Sequence, residues 1–393
     1  MSALKLKLQN TQKKLLNGEN MKHTKRYIAA LLVAGATLTA NAQAVEGQYV
    51  FKDGSTYRGE MAGGKPNGKG KTTFLTGDTY EGEYKKGKRD GEGVYTFTDG
   101  DRYEGSWMGD HQHGRGVYTF GNGNKYDGLW YTDYQQGQGT MYYYNGDTYV
   151  GEWYQDMRHG EGTYTWKNGA FYRGTWVNDR KEGKGLFDWN DGTTYYGDIK
   201  NDMREGYGSY NYSNGDTYKG YWKNDMMEGK GIYTFANGDK YEGDYVGGKR
   251  QGQGIFTYID GSKYTGGFKN GLMEGYGTYK WADGSVYEGY WVQDHQSGRG
   301  KYTNKEGDVY DGEWANGEMH GEGVLRMKDG SKFKGSFANG MKHGKCIEED
   351  KDGIRFEGSY ANDLRDGEFV EKDRNGKTIR KGTYRRGSIE SLK

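Results

Sequence analysis

An aromatic residue recurs every 23 positions, fourteen times in succession from Tyr57 to Phe356, without insertion or deletion. A fixed period of this length admits few folds, because each copy is one supersecondary unit that has to share its core with its neighbours. The clearest copy opens with Tyr103-Glu104-Gly105-Ser106-Trp107 and passes through a polar stretch. It then continues with Gly114-Arg115-Gly116-Val117-Tyr118-Thr119-Phe120 and closes at Asn122-Gly123. Within it Tyr103, Gly105 and Trp107 are spaced i, i+2, i+4, and so are Gly114, Gly116, Tyr118 and Phe120, which is the period of a strand with one distinctive face. The interleaved residues Glu104, Ser106, Arg115, Val117 and Thr119 are mostly polar and read as the solvated face.

Turn chemistry sets the register. Thr98-Asp99-Gly100 supplies residue types that tolerate positive φ, and a three-residue hairpin loop ending in Gly is a common geometry. With that loop, Phe97 faces Asp101, Tyr95 faces Tyr103, Gly93 faces Gly105 and Gly91 faces Trp107. All the rings then share one side of the sheet, whereas an even-length loop would divide them between two. A single copy buries too little to offset the entropy of ordering it, so adjacent copies must complete both ladder and packing. The expected fold is all-β, an elongated single-sheet solenoid of about 14 antiparallel hairpins.

The pattern Tyr-x-Gly-x-Trp/Tyr, Gly-x-Gly-x-Tyr/Phe, Asp/Asn-Gly resembles the MORN (membrane occupation and recognition nexus) repeat over nearly the whole chain after residue 46. Gly stands at the third position of every copy, from Gly59 through Gly128 and Gly220 to Gly358. The resemblance implies an elongated hairpin array, a scaffold role, association with phospholipid as the family name suggests, and homo-oligomerisation through terminal repeats. Some relatives fuse such repeats to a lipid kinase or a methyltransferase. Only 37 residues follow Phe356, so neither catalytic domain is expected, and a phosphatidylinositol phosphate kinase activity would be an inherited label.

The ends differ from the middle. Residues 21–42 combine a basic Met21-Lys22-His23-Thr24-Lys25-Arg26, an apolar run from Tyr27 to Leu38 and Ala40-Asn41-Ala42, the layout of a secretory signal peptide. Residues 1–20 then read as an upstream extension from a misassigned start, and export from a bacterial cytoplasm to the periplasm, outer membrane or medium is expected. Residues 43–56 form a half-repeat cap, residues 57–332 the regular repeats, and residues 333–393 degenerate repeats with a second cap. The thirteenth copy carries Cys346, Glu348 and Asp350 where Gly, Tyr and Phe are the rule, and the fourteenth carries Phe369, Glu371 and Asp373. Charges on an inner face are costly to bury, so this end is expected to be solvated.

From Gln43 onward the chain keeps 49 of its 56 basic and 54 of its 55 acidic residues. That slightly acidic balance argues against nucleic acid or generic anionic-lipid attraction. The one cysteine, Cys346, excludes an internal disulfide.

Candidates for chemistry belong to the repeat register. Asp110, Asp133, Asp156, Asp179, Asp202 and Asp225 recur at one position, but copies about 10 Å apart cannot share a calcium ion. Gly occupies the same position at Gly87, Gly248 and Gly271, which points to a turn. His113, His159, His320 and His343 precede the second strand and lack the spacing of a zinc site, so they read as exposed loop residues. Gly70-Lys71-Thr72 lacks the leading Gly and the helix of a phosphate-binding loop. No nucleophile-base pair stands out, so an enzyme is not expected, and neither metal nor cofactor is called for. What remains is the row Tyr84, Trp107, Trp130, Trp153, Trp176, Trp222, Tyr245, Phe268, Trp291 and Trp314. These rings either pack against one another as core or line a groove. An open aromatic groove binds a protein or peptide, with glycan stacking or lipid contact as alternatives.

Overall fold

The computed structural model describes residues 45–393; the expected signal peptide and upstream extension lie outside them. These residues form one open antiparallel sheet of 32 strands without a helix, in which consecutive strands pair except that Arg355–Ala361 takes both Leu364–Arg365 and Gly367–Lys372. Val45–Val50 pairs with Thr56–Ala62 at the start, and Ser388–Leu392 closes the other end against Thr378–Arg385.

The register across the three-residue loop is as expected. Tyr95 faces Tyr103, Gly93 faces Gly105 and Gly91 faces Trp107, and the Phe97 amide donates to the Asp101 carbonyl at 2.9 Å. The polar stretch after Trp107 is tighter than a loop. Strand Arg102–Met108 turns directly into His111–Thr119 through Gly109 and Asp110, both at positive φ (63° and 83°), the geometry of a two-residue hairpin turn. Gly105 faces Gly116 while Trp107 faces Gln112, so the second strand carries two extra residues opposite Ser106, a bulge repeated along the array. His113 and His159 therefore lie in strands, half-buried against Tyr131 and Tyr154, and not in exposed loops; the main chain needs those residues to complete the bulge.

The inner face holds the core. Tyr57, Tyr80, Tyr103 and their equivalents up to Tyr310 are almost wholly buried, each ring lying over a pair of glycines. A Cβ on Gly116 would overlap the Tyr103 ring and hydroxyl, which is why that position has no side chain. The hydroxyl in turn donates to the carbonyl at the bulge, from Tyr103 to Ser106 at 2.9 Å and from Tyr126 to Leu129 at 3.0 Å.

The C-terminal end is not simply solvated. Glu371 is buried against Arg380 and Arg365, and Glu348 receives Lys342 at 2.7 Å, Arg365 at 2.8 Å and Tyr360 at 2.8 Å. Burial alone would raise the Glu348 pKa, but these donors outweigh it and hold the carboxyl below its ordinary value. The charges are tolerated because each carboxylate is paired with a cation from the neighbouring strands.

Candidate functional site

The ten rings singled out from the sequence form one row, but as core. Tyr84, Trp107, Trp130, Trp153, Trp176, Trp222, Tyr245, Phe268, Trp291 and Trp314 are between 2% and 9% exposed. Each ring meets the Tyr row edge-on: Trp130 sits 5.3 Å from both Tyr103 and Tyr126, at 86° and 90°. Trp130 Nε1 also donates to the Gly116 carbonyl at 3.2 Å, so the polar handle is used internally.

A further row, which the sequence reading passed over, covers these rings from solvent. The second residue after each tight turn reaches over the aromatic of the next copy. Arg89 lies 4.3 Å from the Trp107 ring, Arg158 4.4 Å from Trp176 and Arg204 4.2 Å from Trp222. Each guanidinium then donates to the main chain of the next turn, as Arg204 does to the Asp225 carbonyl at 2.9 Å. Recurrence at the 23-residue period was the available signal, but this position mixes Arg, Lys, Gln and Met and so carries no obvious motif.

The Asp row does more than shape turns. Asp133 and Asp156 have φ of 69° and 67°, as turn residues should, and their carboxylates bridge copies. Asp133 Oδ1 accepts the Gln112 amide and Asp156 Oδ1 the Gln135 amide, each at 2.8 Å, while the aspartate amides return bonds to the Gln112 and Gln135 carbonyls. Among the described residues no group of three or more His, Cys, Asp or Glu is placed to hold a metal ion.

Two places break the uniform surface. On the inner face Gln112 and Gln135 replace the covering Arg, and Met141 replaces the usual Tyr. The result is a cleft of about 550 Å³ over Trp130 and Trp153, walled by Tyr118, Phe120 and Tyr143. On the outer face, which the alternation assigns to solvent, Tyr207 faces Tyr221 across one strand pair and Tyr276 faces Tyr290 across another. Their rings form edge-to-face pairs at 5.4 Å and 5.5 Å, and all four are about half exposed. Beside the first pair a cleft of about 530 Å³ is floored by Ile232 and Ile255. Exposed rings thus exist, but mostly on residues other than the ten the sequence offered.

Solved structures with some likeness include the TCP10 domain of Danio rerio CPAP in complex with a peptide of STIL. It has 17% identity over 57% of this chain and 96% of that one, with a TM-score of 0.30. A CPAP G-box domain has 14% identity over 45% and 93%, with a TM-score of 0.29, and streptogramin B lyase 12% over 79% and 89%, with a TM-score of 0.13. At these values the likeness carries no argument about this chain. No curated protein matches the chain. The family model for the MORN repeat matches thirteen consecutive copies, residues 57–79 through 333–355, and the matched residues carry no catalytic domain. With well over half its length in that register, the chain belongs to the MORN repeat family.

Proposed function

We propose that this chain is an exported, non-enzymatic scaffold of the bacterial envelope that holds a protein or peptide partner. In this reading the partner docks on the outer-face tyrosines and not on the buried ring row. The observation that carries it is the two exposed tyrosine pairs, the first of them beside an apolar floor. Tyrosine brings a large apolar surface and a hydroxyl at little entropic cost, and it is enriched where protein surfaces meet. Every strand of the tyrosine-bearing region has both edges hydrogen-bonded within the sheet, so a partner there is recognised by side chains and not by strand addition. Export rests on residues 21–42, and the absence of enzymatic activity on the lack of any chemical group outside the repeat register.

The test is cross-linked capture from native envelopes with the exported chain and with Tyr221→Ser/Tyr276→Ser. A partner held by the parent chain and lost by the variant, at unchanged thermal stability, supports the proposal. Capture that survives the variant, or binding confined to anionic liposomes and abolished by salt, removes it.

A further inference from the structure

The inner-face cleft carries a separate assignment. Trp130 and Trp153 are the two adjacent tryptophans whose covering residue is a neutral amide, Gln112 or Gln135, and not Arg. Both glutamines are more than nine-tenths buried. Their main-chain amides bond the turn aspartates, but neither side-chain amide makes a hydrogen bond to another described residue. The amide atoms are not sealed from solvent, so their hydrogen-bonding capacity is open to whatever fills the cleft. Both line the cleft.

The walls are of two kinds. On one side Tyr118, Phe120 and Tyr143 present partly exposed ring surface, and Met141 interrupts the chain of ring contacts between Phe120 and Tyr143. On the other side stand the carboxylates of Asp133 and Asp156, together with Arg158, whose charge is taken up by Asp179 at 2.8 Å. The cleft therefore offers apolar ring surface, amides that both donate and accept, and carboxylates that accept. Its uncompensated charge is negative, which disfavours phosphate headgroups and other anions. Hydroxyl groups donate to carboxylates, vicinal diols match an amide, and the C–H face of a sugar ring packs on an aromatic ring. The volume lies within the range of small-ligand pockets, roughly 300–1,000 Å³.

We infer that the cleft over Trp130 and Trp153 is a binding site for a neutral pyranose oligosaccharide, with Gln112, Gln135 and Asp156 as its polar contacts. It lies on the opposite face from the tyrosine pairs, so the two surfaces fail or succeed independently.

Calorimetric titration of the exported chain with cellohexaose and with chitohexaose tests it. Saturable binding of at least one is expected, weakened tenfold or more by Gln135→Arg and by Asp156→Asn and unchanged by Tyr221→Ser. Gln135→Arg restores the residue that Arg89, Arg158 and Arg204 represent in other copies, so it closes the cleft with a side chain the repeat already accommodates. An unaltered melting temperature checks that both variants fold. No heat with either saccharide overturns the assignment. So does binding indifferent to Gln135→Arg, or a cleft that takes a basic hexapeptide and no saccharide.

Discussion

Copies one to twelve and the two that follow solve the same packing problem differently. In the regular copies a tyrosine lies over two glycines and its hydroxyl reaches the carbonyl displaced by the bulge, as Tyr287 does to Tyr290 at 3.0 Å. In the thirteenth copy Phe333 has no hydroxyl, and Cys346 stands where the second glycine would be, its Cβ close against Gly335. The fourteenth repeats the exchange with Phe356 and Phe369, both buried. Hydroxyl and missing Cβ are thus one device: where the oxygen is lost, a side chain fills its space. At that same end of the inner face Glu348 and Glu371 replace the rim aromatics, each paired with a cation.

The two regions should fail at opposite ends of the pH scale, and the alkaline limb is the larger effect. Burial pushes the Tyr row upward, Tyr57 and Tyr241 to about 12 and others further. A phenol whose folded pKa is raised contributes stability that is complete below its unfolded value, about 10, and is lost as pH rises above it. Twelve such tyrosines act together, so hydrogen exchange should show copies one to twelve opening above about pH 10. Tyrosine ionising near pH 10 without loss of structure would break the comparison.

Next in size is Gly116→Ala, expected to cost about 3 kcal/mol through overlap with Tyr103. In the terminal copy Cys346→Gly should cost only about 1 kcal/mol. Phe333→Tyr should destabilise alone and be rescued by Cys346→Gly, because the double variant rebuilds the regular unit; denaturant melts of the four chains give the coupling.

Acidification acts on the other end. Because the Glu348 pKa is lowered in the folded chain, its contribution is complete above the unfolded value, about 4.3, and is lost as pH falls through the folded one. Exchange protection of residues 333–393 should fall below about pH 4 before that of the tyrosine row. Glu348→Gln should remove this difference and cost about 2 kcal/mol, since Arg365 loses a partner.

The smallest expected effect is Asp179→Gly, under about 1 kcal/mol. It removes the bonds from the Arg158 amide and from its partly exposed guanidinium, but keeps a residue at ease with φ of 68°, as Gly248 shows in its own copy. A larger loss would mean that the bridge between copies matters more than the turn.

Much of this was legible beforehand. The loop Thr98–Gly100 fixed the hairpin register because side-chain direction alternates strictly along a strand, so one loop length keeps Tyr95 and Tyr103 on the same side. The tight turn at Gly109–Asp110 was less legible. A bulge with polar residues on both strands looks, residue by residue, like a loop, and its signature lies in pairing across the hairpin.

Period, register and the face that carries the main rings were therefore determined by the sequence itself, since each depends on residues within one copy. Which rings meet solvent was decided only by the tertiary structure. A ring's cover comes from another copy: Arg89 closes over Trp107, while Gln112 leaves the cleft above Trp130 open. The outer tyrosines form pairs only because Tyr207 and Tyr221 meet across adjacent strands. Exposure is a property of neighbours in space, and in a stacked array those neighbours lie most of a repeat away along the chain.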